Sequence, residues 1–376
     1  MNDVLILEGA RTPFCTWAGG VRADGEKGGA LKPVEVPDLG GAALKEALTR
    51  AALPAAAVEL VLFGNTYAVG AQATYAARHV AYRAGVPAEV PGVTVTMACA
   101  SGLEAVAAAA QSVAFGEASV VAAAGADNCS LVPRAVFVPS FKEMMCGRQI
   151  AEVSQDVSKE FGFSRADQDR YALQSHQRAS AARKRGVFAE EIVAVTGLDK
   201  DDAIVDEATP QRFSESKILF EGFEATAGNT HAVVDGGAAV LVASADGAKR
   251  AGKPPLGRVA GAAISGVPAD RMPLASSNAV RKALAKAGWR LEEVDLFEIN
   301  ETFASQALVA IKDLGLSEDR VNVNGGAIAL GHPFGATGPR LVYTLLKELK
   351  RRGKKRGVAA ICAGGGSGAA VAVEAL

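Results

Sequence analysis

Four side chains and one run of glycines are of the types that carry out covalent acyl transfer. Cys99 lies in the stretch TVTMACASGL, and Cys362 lies in AAICAGGGSGAA. His332 lies in the glycine-rich segment NGGAIALGHPFGATG, and Asn300 follows the apolar run VDLFEI. A thiolate can attack a thioester and hold its acyl group, while an imidazole or a second thiol accepts protons. Carboxamide and backbone N–H groups can stabilise the negative oxygen that develops in such a reaction.

Each of these motifs also has an ordinary structural interpretation. Free cysteine is among the most buried residue types, so Cys99 is also consistent with a core position. Asparagine is a favoured N-cap residue, so Asn300 is consistent with the start of a helix. The glycines at 364–366 are consistent with a tight turn between two strands. His332 is less easily explained in this way, because the glycines around it expose backbone to which a ligand can come close.

Together the motifs predict a two-step reaction. Cys99, paired with His332, would attack an acyl thioester and hold the acyl group. Cys362 would then remove a proton next to a carbonyl, and Asn300 with His332 would stabilise the resulting enolate. Attack of the enolate carbon on the acyl group of Cys99 is a Claisen condensation. Its reverse is thiolysis of a 3-ketoacyl thioester.

The segments around Cys99 predict a strand followed by a helix. Apolar residues alternate over 93–98, which is typical of a strand. Residues 103–115 are mostly alanine and other small apolar residues, which predicts a buried helix. Ser101 and Gly102 suit a tight turn and a helix start. A thiol at that end would face the positive end of the helix dipole, which favours the thiolate.

The chain contains two pairs of similar blocks in the same order. The pairs are 40–66 with 276–302 and 93–126 with 321–364. This comparison places Val58 opposite Val294 and Val120 opposite Val358. Helices alternate with strands in each block, which predicts an α/β protein made of two duplicated, layered α/β/α halves.

A more charged segment interrupts the first half. It contains the helical run SRADQDRYALQSHQRASAARKRG, where Ser164 and Asp167 suit a capping box. We predict a first half formed by 1–126 and 226–247, a loop or lid domain over 127–225, and a second half over 248–376. An excursion of this size typically forms a lid or the wall of a binding site.

Composition excludes several classes of function. The 376 residues carry a formal net charge of −1, so bulk charge does not favour nucleic acid or a membrane surface. The five cysteines include no CxxC pair, which argues against a zinc site or a disulfide framework. Free thiols and the lack of a signal-like N-terminus predict a cytoplasmic protein. We find no run long enough to span a bilayer.

The chain resembles the thiolases, the acetyl-CoA C-acetyltransferases and 3-ketoacyl-CoA thiolases. The resemblance runs nearly end to end and is carried by five motifs: GARTPF, VTMACASGLEAV, DLFEINETFASQAL, NVNGGAIALGHPFGATG and CAGGGSGAA. It implies a thiolase fold, coenzyme A thioesters as substrates, no permanently bound cofactor and no metal. It also implies a homodimer or homotetramer.

The resemblance further implies roles for individual residues. Cys99 would be the nucleophile and Cys362 the acid/base, with Asn300 and His332 at a first oxyanion site. The backbone N–H groups of Cys99 and Gly364 would form a second oxyanion site. The side chain that would line the acyl pocket is Phe303.

Two stretches depart from the family pattern. The lid is short, and MCG at 145–147 stands where many thiolases have His-Met-Gly, which makes Met145 a candidate contact for coenzyme A. In AGNTHAV, His231 replaces a serine that touches the pantetheine arm. His231 would hydrogen-bond that arm, partly block it, or be a tolerated surface change. Arg212 is one of several basic candidates for the coenzyme A phosphates.

Two alternatives remain open from the sequence. One is a ketoacyl synthase-like enzyme that uses carrier-protein thioesters, although such enzymes typically have histidines where this chain has Asn300 and Cys362. The other is a non-catalytic thiolase-like partner subunit. The direction of the reaction, the acyl chain length and the oligomer size are not fixed by these residues.

Overall fold

The computed structural model describes residues 3–19, 28–219 and 221–376. The strands are β1 Leu5–Arg11, β2 Cys15–Thr16, β3 Leu60–Gly64, β4 Gly92–Val95, β5 Val120–Asp127, β6 Lys142–Glu143, β7 Arg148–Gln149, β8 Val234–Ala243, β9 Gly257–Gly266, β10 Leu296–Ile299, β11 Arg356–Ala363 and β12 Ser367–Ala375. The helices are α1 Val36–Ala51, α2 Ala76–Arg83, α3 Ser101–Phe115, α4 Arg134–Phe137, α5 Ile150–Glu160, α6 Arg165–Lys184, α7 Pro210–Ser214, α8 Ala245–Ala248, α9 Ala275–Ala287, α10 Ala304–Asp313, α11 Ala327–Leu330 and α12 Phe334–Arg351.

The large sheet joins two similar sets of strands. Its order is β10-β11-β12-β9-β1-β8-β5-β3-β4, and β2 pairs with β8. Helix α1 packs on strands of the first set and α9 packs on strands of the second. Helices α3 and α12 contact each other and strands of both sets, so they form the central layer. This is the duplicated, layered α/β arrangement predicted from the sequence.

Strand pairing corrects the internal alignment of the two halves. Leu60 pairs with Val121 in the parallel β3–β5 pair, and Leu296 pairs with Gly357 in the parallel β10–β11 pair. If Leu60 corresponds to Leu296, then residue 122 corresponds to 358. The predicted match of residue 120 with 358 is therefore wrong by two positions. A shift of two leaves every side chain on its expected face of the strand, which is why the pattern still matched.

Helix α3 is apolar enough, by length and composition over Ala98–Phe115, to cross a membrane. The statement from the sequence that no run is long enough to span a bilayer is therefore wrong by the criterion of length and composition. More than half of the stretch is buried inside the protein. Its packing against α12, β3 and β5 accounts for the apolar composition, as expected of a core helix.

The excursion packs against the second half. Helix α5 contacts α10, and α6 contacts α7, α10 and α11. The predicted capping box is present at the start of α6, where the Ser164 side chain accepts from the Asp167 N–H and Asp167 accepts from the Ser164 N–H. The excursion thus lies beside α10 and α11, which flank the segments that contain Asn300 and His332.

Candidate active site

Cys99 lies in a tight turn between β4 and α3. The strand ends at Val95, and Ala98 has a left-handed φ of 44°. The Ser101 hydroxyl donates to the carbonyl of Ala98 at 2.6 Å and accepts from the N–H of Met97 at 2.8 Å. These two bonds hold the turn in its uncommon conformation. Cys99 as a residue is half-buried and lies at the N-terminal end of α3, as predicted.

Cys362 lies near the end of β11, buried, and is followed by the glycine turn. Gly365 and Gly366 have φ values of 78° and 65°, and a Cβ at Gly366 would overlap the carbonyl of Val267. The turn interpretation is therefore confirmed. A Cβ at Gly364 would meet nothing within 4 Å, so open space lies beside it. Cys99 packs against the hydrophobic cluster that contains Ala363, and the N–H of Gly364 lies close enough to lower the pKa of its thiol, so the two cysteine motifs meet.

His332 is fully buried between α11 and α12. Its Nδ1 lies 2.6 Å from the hydroxyl of Thr337, which itself donates to the carbonyl of Pro333. The hydroxyl must therefore accept from Nδ1–H, which leaves the lone pair on Nε2. Burial, with His231 and Arg340 nearby, lowers the pKa of His332 well below its usual range. His332 is thus a neutral base whose lone pair lies on Nε2.

Asn300 is buried at the end of β10. It does not cap a helix, because α10 begins at Ala304 with Phe303 in the N-cap position, so the capping interpretation is wrong. Its Nδ2 lies 3.4 Å from His332 Nε2, and its Oδ1 has no hydrogen-bond partner among the described residues. A buried, unpaired amide oxygen next to a base is typical of a site that receives a polar ligand.

Thr302 connects Asn300 to the second cysteine. Its hydroxyl lies 3.4 Å from Asn300 Nδ2 and 3.8 Å from the Cys362 sulfur. The candidates from the second half therefore form one continuous group, in which His332, Asn300 and Cys362 are linked by hydrogen-bonding atoms.

Burial favours the protonated form of both thiols. Burial raises the pKa of Cys362 to about 12. Burial and the neighbouring Cys362 also raise the pKa of Cys99, although the N–H of Gly364 lowers it. The predicted preference of Cys99 for the thiolate, from the helix dipole, is therefore outweighed by desolvation. Each thiol needs a base to take its proton, and the candidate in this group is the neutral imidazole of His332.

His231 is buried, with 5% of its surface exposed, so its interpretation as a surface change is wrong. Its Nδ1 lies 2.9 Å from the carbonyl of Thr302, which can only accept, so Nδ1 carries the proton. Its Nε2 is buried and has no hydrogen-bond partner among the described residues. The ring lies edge-on to His332 at 5.2 Å and to Phe334 at 5.9 Å.

The remaining predicted contacts for the substrate, Phe303, Met145 and Arg212, lie in three different surroundings. Phe303 is buried in the same hydrophobic cluster as Cys362. Met145 lies at the exposed turn between β6 and β7, whereas its neighbour Cys146 packs against that cluster. Arg212 lies on α7 near His176 of α6.

An aromatic wall next to Cys99 was not anticipated from the sequence. Its members are Trp17, Tyr67, Phe137, Phe141 and Phe334. The centroids of rings in contact lie 4.5 to 5.5 Å apart. Phe137 contacts Trp17, Phe141 and Tyr67, and Tyr67 in turn contacts Phe334. These residues come from four separate segments, so no local motif could have shown that they meet.

Two buried carboxylates that position the site were also missed. Glu301 accepts from Tyr171, Ser175 and Asn322 side chains and so fixes the strand end beside Asn300. The NETF motif gave a signal here, since capping would not require this glutamate.

Asp127, at the end of β5, accepts from the N–H groups of Tyr67 and Gly335 at 3.0 and 2.7 Å. It thereby ties the first half to the start of α12, just after His332. Burial raises the pKa of Asp127 to about 6. Nothing in its neighbouring sequence indicates this role.

Comparisons with known proteins agree with this geometry. Residues 4–246 match the model of the thiolase N-terminal domain, and residues 253–375 match that of the C-terminal domain. The chain is 38% identical to an acetyl-CoA acetyltransferase of Chromobacterium violaceum, over 94% of this chain and 97% of that protein. It is 35% identical to a 3-ketoacyl-CoA thiolase of Bacillus subtilis, over the full length of both.

A solved structure shows the same fold. The human mitochondrial 3-ketoacyl-CoA thiolase in complex with CoA superposes with a TM-score of 0.93 at 32% identity, over 100% of this chain and 98% of that one. Family models, relatives and structure all cover the halves that bring the two cysteines together. The chain belongs to the thiolase family.

Proposed function

We propose that this thiolase-type acyltransferase condenses an acyl-CoA with acetyl-CoA and, in reverse, cleaves a 3-ketoacyl-CoA by thiolysis, through an acyl group on Cys99. The observation that carries the proposal is the meeting of the two cysteine motifs: Cys99 packs against the cluster that contains Ala363, and both Cys362 and the N–H of Gly364 lie close enough to shift the pKa of its thiol. Relatives named as acetyltransferases and thiolases support the same activity.

In the first step, the Nε2 of His332 takes the proton of the Cys99 thiol. The thiolate attacks the thioester carbon, and the negative oxygen is stabilised by the N–H groups of Cys99 and Gly364. The coenzyme A thiolate leaves and receives the proton from His332. The imidazole is then neutral again, which its lowered pKa favours.

In the second step, His332 takes the proton of Cys362. The Cys362 thiolate removes a proton from the methyl carbon of acetyl-CoA, and the enolate oxygen faces the imidazolium and the carboxamide of Asn300. The enolate carbon attacks the acyl group, Cys99 leaves as a thiolate, and the imidazolium returns its proton to it. Each proton has a side chain to accept it, so we propose that no permanently bound cofactor takes part.

His231 is proposed to bind the pantetheine arm. Its Nε2 is a buried acceptor without a partner among the described residues, and the arm carries amide N–H donors. Burial lowers the pKa of His231 to about 4, so the ring stays neutral and its lone pair stays free. Phe303 would line the acyl side of the pocket, and Arg212 and Met145 remain proposed contacts for coenzyme A.

We propose that the protein works as a homodimer or homotetramer in the cytoplasm. The edge strand β4 presents Val93 with 51% of its surface exposed, and Tyr82 of the neighbouring α2 is 72% exposed. An exposed apolar edge strand offers unpaired backbone groups to which another chain can add. Free thiols suit a reducing compartment. Light scattering would give the mass of the assembly.

The experiment that tests the function is mass spectrometry of the protein after incubation with acetyl-CoA. We expect one acetyl group on the peptide that contains Cys99 and none in the Cys99→Ala variant. An unmodified wild-type protein would contradict the proposal and favour carrier-protein thioesters or a non-catalytic subunit.

A further inference from the structure

A buried carboxylate on the lid, Glu143, holds the glycine turn beside the active site. Glu143 belongs to the short β6–β7 hairpin of the excursion. The turn of this hairpin is exposed, with Met144 at 79% and Met145 at 71%, whereas Glu143 is only 9% exposed. Carboxylates are rarely buried unless their oxygens are paired. The burial of this one therefore needs an explanation.

Both oxygens of Glu143 are bound by backbone N–H groups. One accepts from the N–H of Gly365 at 2.5 Å, and the other accepts from the N–H of Met145 at 3.0 Å. The arginine opposite it in the hairpin, Arg148, instead forms ion pairs with Glu152 and Asp156. Glu143 thus binds the backbone of the glycine turn rather than Arg148, the cation opposite it in the hairpin.

The bound residue is next to the second oxyanion donor. Cys99 packs against the cluster that contains Ala363, the next residue, Gly364, places its N–H close enough to lower the pKa of the Cys99 thiol, and Gly365 follows in a left-handed conformation. The bond to Glu143 fixes the peptide plane between these two glycines, which directly follows the peptide that carries the Gly364 N–H. A run of glycines has the greatest backbone freedom of any sequence. A contact from another segment is therefore needed to keep the N–H of Gly364 in one orientation.

We propose that Glu143 is a positioning residue that keeps the N–H of Gly364 aimed at the thioester oxygen on Cys99. Since Glu143 is carried by the lid hairpin, the second oxyanion site is complete only when the hairpin is docked. The inference rests on the proposed acyl transfer through Cys99.

The test compares Glu143→Gln with Glu152→Gln. Glutamine keeps the size of the side chain but sets an NH₂ group against one of the two N–H donors. We expect the rate of Cys99 acetylation and kcat to fall about tenfold or more, with KM for acetyl-CoA unchanged, since a misaimed oxyanion donor affects the transition state alone. Glu152→Gln loosens the ion pair of the same hairpin and should leave both constants within twofold of wild type.

Several results would overturn the inference. These are wild-type acetylation in Glu143→Gln, a rise in KM without a fall in kcat, or an equal effect in both variants. Rates are taken per folded protein, judged by thermal unfolding, so lost stability is not read as lost catalysis. If Glu143→Gln does not fold, Glu143→Asp keeps both acceptors on a shorter arm and should show a smaller fall in kcat. Absence of acetylation in the wild type would instead reject the proposed function.

Discussion

At the scale of single residues, burial sets the chemistry of the site more than local sequence does. Removal from water keeps both thiols protonated and keeps His332 neutral. In the proposed mechanism the thiols therefore become nucleophile and base only by passing their protons to the imidazole. Thr337 matters because it fixes which nitrogen of His332 receives them.

The two cysteines should be separable by mutation. Cys362→Ala should still be acetylated on Cys99, because only the second step needs the base. It should lose carbon–carbon bond formation by several orders of magnitude. Mass spectrometry measures the first step, and the rate of acetoacetyl-CoA formation measures the second. Wild-type condensation in this variant would show that Cys362 is not the base.

Variants of His231 distinguish a pantetheine contact from a partial block. His231→Ala removes the acceptor, and we expect KM for acetyl-CoA to rise roughly fivefold, the value of one hydrogen bond of about 1 kcal/mol. His231→Ser restores a polar group and should show a smaller rise. A fall in KM in both variants would indicate a block instead.

The pH dependence of the wild-type KM for acetyl-CoA follows from the ionisation of His231. Because the pKa of His231 is lowered to about 4, the ring is neutral from pH 6 to 9, and KM should not change over that range through this residue. KM should rise only as the pH falls towards 4, where Nε2 gains a proton and can no longer accept. An inflection in KM near pH 6.5 that is absent in His231→Ala would contradict this assignment.

At the scale of elements, the close crossing of α3 and α12 brings the two halves of the site together. A Cβ at Gly102 would overlap the carbonyl oxygen of Gly335, and one at Gly338 would overlap the N–H of Leu103. The helices can therefore approach backbone to backbone only because these positions are glycine. Cys99 precedes α3 and His332 precedes α12, so the crossing sets their separation.

Gly102→Ala should separate these helices. We expect a loss of about 1–3 kcal/mol in the free energy of unfolding, as for other overpacked cores, together with lower activity. The matched control is Gly266→Ala, where a Cβ would meet nothing within 4 Å, and a change within about 0.5 kcal/mol is expected. Denaturant unfolding measures both. Equal stability of the two variants would show that the crossing tolerates a methyl group.

At the scale of the whole molecule, the two halves depend on each other. Helix α12 belongs to the second half, yet it packs against α3, β5 and β8 of the first, and nearly all of its residues are buried. The first half supplies one cysteine of the site, and the second half supplies the other with Asn300 and His332. Neither half alone holds a complete site.

Residues 248–376 expressed alone should therefore not fold. Without the first half, the apolar faces of α12 and β9 would be exposed to water, which is unfavourable by about 25 cal/mol per Å². Circular dichroism and limited proteolysis would show an unfolded or aggregated chain. Co-expression with residues 1–247 should restore solubility and activity. A stable, protease-resistant second half on its own would contradict this expectation.

The sequence by itself determined the family, the duplicated α/β architecture and the four chemical side chains. The family followed from the resemblance of five motifs to those of the thiolases. The architecture and the candidate side chains follow from local signals: Cys99 at the start of a helix, the glycines beside His332 and after Cys362, and the Ser164–Asp167 capping box. Periodicity and turn residues act over a few neighbours, so they can be identified without knowing the rest of the chain.

Only the tertiary structure decided the direction of the pKa shifts of these groups and the contacts that hold them in place. It showed that Asn300 is not a cap, that His231 is buried, and that Glu143 holds the glycine turn. It also gave the pKa directions of Cys99 and His332, opposite to the helix-dipole expectation for the thiol. Desolvation and long-range hydrogen bonds depend on which distant segments pack around a residue, and the local sequence does not carry that information.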